Sequence, residues 1–214
     1  MTYPTPPPVS GANGLRIRRL SGADQGSVES ESTGNALRNR QARMIGDRWG
    51  VTPSEIARHY PCDDVVPDPV LQVWRGVTVR AAPKQVWPWV AQIRLAPYSY
   101  DLLDNFGRRS PPTLYELADP EPGEHFTTAL GGRRLGRIVA ATPGEDLTGE
   151  IMGAVMSYVL VPEGAETRLL LKVVMRVARA IAPFISIGDL VMARRQLLNL
   201  ARLAEQRPTG ARPD

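Results

Sequence analysis

Hydrophobic and polar positions follow two rhythms along this chain of 214 residues. The run LQVWRGVTVRA (71–81) alternates, with Val77 and Val79 on one face and Thr78 and Arg80 on the other, the period-two signature of a strand. Pro83 then opens APKQVWPWVAQI, where Val86, Trp89, Val90 and Ile93 recur at helical spacing as a buried stripe. Pro88 is expected to kink that helix or loosen its first turns. A second short helix is predicted over about 99–106, carrying YSYDLLDN. Further strands are predicted near 112–118, 124–129 and 134–142, and over LTGEIM (147–152), AVMSYVLVP (154–162) and RLLLKVVMRV (168–177). GGRRLG (131–136) reads as a strand turn. In the last of these strands Arg168, Lys172 and Arg176 share one face and Leu169, Leu171, Val173 and Met175 the other, which predicts a half-exposed antiparallel strand. The helical rhythm returns over about 184–206, where Ile187, Leu190, Val191, Leu197, Leu198 and Ala201 make one apolar stripe.

The N-terminal part has neither rhythm. Residues 1–42 are rich in Pro, Gly, Ser, Thr and Arg, a composition too poor in apolar side chains to offset chain entropy, so a disordered tail is expected. Residues 43–69 form a pre-domain helix and linker. Thr52 as N-cap, Pro53 at the first helical position and Glu55 completing a capping box predict a helix over about 53–60, stopped by Pro61. Residues 70–206 make the main domain, and 207–214 a flexible C-terminus. The order is strand, two short helices, antiparallel strands, long helix. The apolar face of the twisted sheet must be covered, and the C-terminal helix is the element large enough to do it. The fold class is therefore α+β.

Composition narrows the function classes. The net charge of +4 is too small to argue for nucleic acid, and no basic stripe interleaved with aromatics is present. No apolar run is long enough to span a membrane, and the first residues lack a signal-peptide pattern. One cysteine, Cys62, cannot form an internal disulfide, so cytoplasm is the default compartment. No metal-ligand spacing, Walker loop or dinucleotide fingerprint appears, so neither a metal nor a cofactor is expected. His59 and His125 have no metal partner at a useful spacing, and Cys62 has no evident activation.

VTVRAAPKQVWPWVAQI, YSYDLLDNFGRRS, RWGVTPSEIARHYPCDD and DLVMARRQLLNLARLAE, together spanning roughly 48–206, resemble the SRPBCC superfamily (START, Bet v 1 and polyketide cyclase/dehydrase-like proteins), in an actinobacterial-type branch. The resemblance implies a helix-grip fold: a curved antiparallel sheet wrapped around a long C-terminal helix, with two short helices after the first strand and a hydrophobic cavity between sheet and helix. It does not imply a reaction. The link IRLAP, before YSYD, is shorter than the glycine-rich link usual in that branch, which puts the shape of the cavity mouth in question.

The polar stretch would lie beside the cavity. Tyr98, Tyr100, Asp101 and Asn105 either cap the short helix and tie it to its neighbours or present groups to a ligand. On the C-terminal helix Arg194 falls in the middle of the apolar stripe, where a guanidinium needs a carboxylate or a route to solvent; Asp101 is the expected partner. Tyr158 places a hydroxyl in an apolar strand. Trp89 and Met175 complete the cavity candidates, with Met152 and Met156 as further adaptable lining. No catalytic residue is assigned. The leading expectation is a binding protein for a small hydrophobic ligand, such as a lipid, polyketide or isoprenoid-like molecule. The alternatives are a polyketide cyclase/aromatase-like enzyme using Tyr100, Asp101, Tyr158 and Arg194, and a membrane-surface or protein-interaction module. The basic amphipathic C-terminal helix would allow weak membrane-surface contact.

Overall fold

The computed structural model describes residues 46–99, 110–129, 131–176 and 182–206, with the side chains of the last helix from residue 192 onward; all belong to the unit Arg43–Asp214. The expected tail over 1–42, most of the expected helix over 99–106 and the residues 207–214 lie outside the described residues.

The period-two segments form a six-stranded sheet. Its strands are β1 (Arg48–Trp49), β2 (Leu71–Val79), β5 (Arg137–Thr142), β6 (Asp146–Ile151), β7 (Ala154–Glu163) and β8 (Glu166–Met175), in the order β1-β2-β8-β7-β6-β5. All neighbours pair antiparallel except β1, which runs parallel to β2 through Arg48↔Trp74 and Trp49↔Arg75. The sheet is thus mixed, where an antiparallel one was expected. A separate two-stranded ribbon joins β3 (Thr127–Ala129) to β4 (Arg133–Leu135). The strand expected over 134–142 is therefore two, divided at Gly136, which has φ 66°. A side chain there would also meet the Glu150 carbonyl oxygen at 2.3 Å.

Among the described residues four α-helices accompany the strands. α1 (Pro53–Ala57) carries the expected capping box between Thr52 and Glu55. It ends earlier than expected, and Pro61 opens a further helix, α2 (Pro61–Val65), instead of merely stopping the first. α3 (Pro83–Ala91) contains Pro88 and runs into a 3₁₀ turn, Gln92–Arg94. α4 (Ala182–Glu205) is the long C-terminal helix. It packs against β2 and α3.

Residues 112–118 do not form a strand. Side chains of α3 and the 3₁₀ turn, not a neighbouring strand, satisfy this stretch. Gln92 bonds to the Thr113 carbonyl and the Tyr115 amide at 2.9 and 2.8 Å. Arg94 Nη2 donates to the Ala118 carbonyl, and Trp87 Nε1 donates to Asp119 at 2.8 Å.

Both faces of the sheet are covered. Register puts Leu71, Val73, Leu169, Leu171, Val173, Tyr158 and Leu160 on the inner face, where they join the buried stripe of α3 and Leu197, Leu200 and Ala201 of α4 in one core. Phe126 lies flat on this face at Gly149, where an added Cβ would come within 2.0 Å of its ring. The opposite face was expected to be half-exposed. It carries a second core instead: Trp74, Val155, Val159, Leu170 and Val174 are covered by Tyr60, Cys62 and Val66. Lys172 is 4 % exposed in consequence. Its ammonium pairs with Asp63 at 2.5 Å and sits over the rings of Tyr60 and Trp74.

Candidate functional site

The polar groups of the inner face gather where β7, α4 and the chain after α3 meet. Tyr158 points inward from β7 and is 1 % exposed. Its hydroxyl donates to Gln196 Oε1 on α4 at 2.6 Å, and Gln196 Nε2 donates to the Pro97 carbonyl at 2.5 Å. One turn later Asn199 Nδ2 donates to the Tyr98 carbonyl at 2.9 Å. Tyr98 is held at every polar atom: its amide donates to Ser110 Oγ at 3.2 Å and its hydroxyl accepts from Gln92 Nε2 at 2.5 Å. Its ring meets Trp89 edge-on at 6.3 Å. These contacts fix a φ of 55°, a left-handed conformation that a tyrosine rarely adopts. Trp89 itself is buried in the inner core.

A cross-strand row runs beneath this cluster. Trp49, Arg75, Leu171, Tyr158 and Leu147 are register partners in turn. Arg75 and Tyr158 flank Leu171, which sets their Cα atoms roughly 10 Å apart at two strand spacings. Arg75 is fully buried and donates from Nη1 to the carbonyls of Asp47 and Trp74 at 2.9 and 2.8 Å. A guanidinium on an apolar face is held this way because backbone carbonyls supply the acceptors that water would otherwise provide.

Of the expected site residues, Tyr98, Trp89 and Tyr158 share this inner region. Met175 is half-buried at the end of β8, opposite Leu71 and Ala154. Tyr100, Asp101 and Asn105 lie outside the described residues. Arg194 does not lie in the middle of the buried stripe as expected. It is exposed, with its guanidinium 5.1 Å from the Trp49 ring centroid. The buried stripe of α4 runs through Ala193, Gln196, Leu197, Leu200 and Ala201, and Leu198 is exposed. Met152 lines nothing: it is 87 % exposed in the tight turn between β6 and β7, at φ 49° beside Gly153 at φ 79°. Gln92, Gln196, Asn199 and Arg75 were missed by the sequence reading. The signal for Gln196 was its position one helical turn before Leu200, inside the stripe.

The remaining reactive groups have plain roles. Cys62 lies in α2, not in a loop, and burial pushes its thiol up to about 11. His59 is exposed and meets Asp64 at 3.1 Å. Among the described residues no three His, Cys, Asp or Glu side chains gather to hold a metal. No helix among them is long and apolar enough to cross a membrane.

No protein-family model and no curated protein sequence matches the chain. Solved structures do. A Mesorhizobium loti protein, MLL2253, is 16 % identical and aligns 62 % of this chain with 95 % of its own at a TM-score of 0.44. A Thermobifida fusca protein is 18 % identical over 64 % of this chain and 97 % of its own, with a TM-score of 0.42. A Chromobacterium violaceum protein, CV1439, is 17 % identical over 64 % and 98 %, with a TM-score of 0.39. At these TM-scores the likenesses carry no argument about what the chain does.

Proposed function

We propose that the chain binds a small hydrophobic molecule, such as a lipid, polyketide or isoprenoid-like compound, between the inner face of the sheet and α4. The reading takes the sheet as curved around the helix in the helix-grip manner that the SRPBCC resemblance implies. One observation carries it: the Tyr158 hydroxyl and the Gln196 carboxamide, bonded at 2.6 Å, bridge sheet and helix within a mostly apolar interior. Both groups are neutral. A ligand carbonyl or hydroxyl can replace the carboxamide oxygen as acceptor, at a cost of about 1–2 kcal/mol for the Gln196 Oε1 left without its donor, which burial of the ligand's apolar body has to offset. An apolar pocket with a few placed polar groups is the usual composition of a small-molecule site.

The test is native mass spectrometry of the purified full chain, followed by denaturing extraction. One molar equivalent of an apolar compound is expected, with its occupancy lowered in Tyr158→Phe. An apo mass, together with no thermal shift on addition of fatty acids or isoprenoid alcohols, would remove the reading.

A further inference from the structure

A cleft of about 580 Å³ opens outside the inner core, beneath the β3–β4 ribbon. Its apolar wall comes from Leu95, Ala96, Pro111 and Pro112, and its polar groups are Ser110, Tyr115, His125, Thr128 and Arg134. Among the described residues no Asp or Glu belongs to the lining. We propose that this cleft binds a small organic anion, a carboxylate on a planar apolar body, with Arg134 as its counter-ion and Tyr115 and the two prolines against the body.

The cleft is a built feature. Buried Gln92 bonds on both sides of Leu114, to the Thr113 carbonyl and the Tyr115 amide, and so fixes the wall that carries the Tyr115 ring. Tyr115 is 56 % exposed, a large aromatic residue left without cover. Across the cleft Thr128 and Arg134 are direct register partners and leave the ribbon on the same side. The Thr128 hydroxyl donates to the Arg94 carbonyl at 2.7 Å and the Thr127 hydroxyl to the Ile93 carbonyl at 2.9 Å, and together these fasten the ribbon to the 3₁₀ turn. Arg134 is exposed and has no ion pair among the described residues. The neighbouring carboxylate, Glu124, is already neutralised by Arg94 at 2.6 Å, and that hydrogen bond holds its carboxyl below the ordinary value. A guanidinium beside a flat apolar wall favours a planar carboxylate, which it can meet with two parallel hydrogen bonds.

The chain contains only two histidines, so His125 reports on this cleft and His59, on the far side of the sheet, serves as the internal control. The experiment is a titration of histidine-labelled full-length protein by NMR at constant pH, with 2-naphthoate, with neutral 2-naphthalenemethanol, and with acetate. Naphthoate is expected to move the His125 imidazole signals saturably and leave those of His59 in place. The neutral alcohol and acetate should each bind on the order of tenfold more weakly, the loss of one charge-assisted contact or of the apolar body. Arg134→Gln should bring naphthoate down to the level of the alcohol, while Arg133→Gln, its neighbour on the other side of the ribbon, should not. No movement at His125, equal movement at both histidines, or equal binding to Arg134→Gln would overturn the proposal.

Discussion

The two faces of the sheet are sealed by different chemistry. The outer face is closed by the segment before β2, chiefly through charges, Lys172 with Asp63 and Arg168 with Glu55 at 2.8 Å, beside one buried neutral contact in which the Cys62 amide donates to Ser157 Oγ at 2.9 Å. The inner face is closed by α4 and the chain after α3 through neutral groups, Tyr158, Gln196, Asn199, Tyr98 and Gln92, while the buried Arg75 on that face is held by backbone carbonyls of its own edge and not by this closure. A buried charge cannot lose its partner without a large desolvation penalty, whereas a neutral amide or hydroxyl can exchange one acceptor for another. The outer closure is therefore a fixed clasp, and the inner one is where the proposed ligand would exchange a partner.

The sharpest way to break this contrast is at Asp63. Its removal leaves the Lys172 ammonium, whose side chain is 6 % exposed, without a counter-charge, and also removes the acceptor of the Tyr60 amide at 3.0 Å. Asp63→Ala should cost about 3 kcal/mol in urea unfolding. Lys172→Met, which takes away the charge and keeps the volume, should be close to neutral by the same measurement. Equal losses in both variants would mean that the outer face is held by packing alone.

On the inner face Tyr158→Phe removes a hydroxyl and keeps the ring, which lies 6.4 Å from Phe126. Gln196 Oε1 then loses its donor, which should cost about 1–2 kcal/mol in urea unfolding. Unlike the outer-face variants, this one should also lower the occupancy of any co-purified apolar compound. A change in stability with unchanged occupancy would make the two faces alike in kind.

Glu55 gives the pH signature of the outer clasp. Burial alone would raise its carboxyl, but hydrogen bonds from Arg168 and from the Thr52 amide, with the charge of Arg168, hold it below the ordinary 4.5. A folded value below the unfolded one contributes stability that is present above 4.5 and is lost as pH falls through the folded value. Glu55→Gln should flatten that acid limb in thermal melts taken through this range, while Tyr158→Phe leaves it unchanged.

These differences were only partly legible in the sequence. The α+β class followed from the two rhythms, and the capping box from four residues, because both depend on local spacing. The cover on the outer face did not follow, because alternation in β8 shows Lys172 as a polar position and not that Asp63 waits over it. The strand expected over 112–118 failed for a related reason: Gln92 and Arg94, distant in sequence, supply the partners that a neighbouring strand would have supplied. The aromatic residues that the inner region brings together stood out in the sequence by type, while Gln196 and Asn199 did not. A carboxamide on a helix reads as solvent-facing until the register of the stripe is known.

Arg194 shows how far a small error in that register carries. Counting 100° per residue from Leu190 and Val191 through Leu198 places it at the middle of the stripe; the actual stripe is centred on Leu197 and leaves both Arg194 and Leu198 at its solvent edges. There the guanidinium needs no carboxylate, since water hydrates it and the face of Trp49 attracts it at 5.1 Å. Trp49 is the β1 partner of Arg75 and packs on the inner core, so the contact fastens α4 to the sheet edge rather than to the Tyr158–Gln196 region. Arg194→Met should therefore cost only about 0.5–1 kcal/mol, read as a small shift of the urea midpoint. It should leave the occupancy of a bound apolar compound unchanged. A larger loss, or a loss of ligand with it, would move Arg194 back into the inner site and make that site charged rather than neutral.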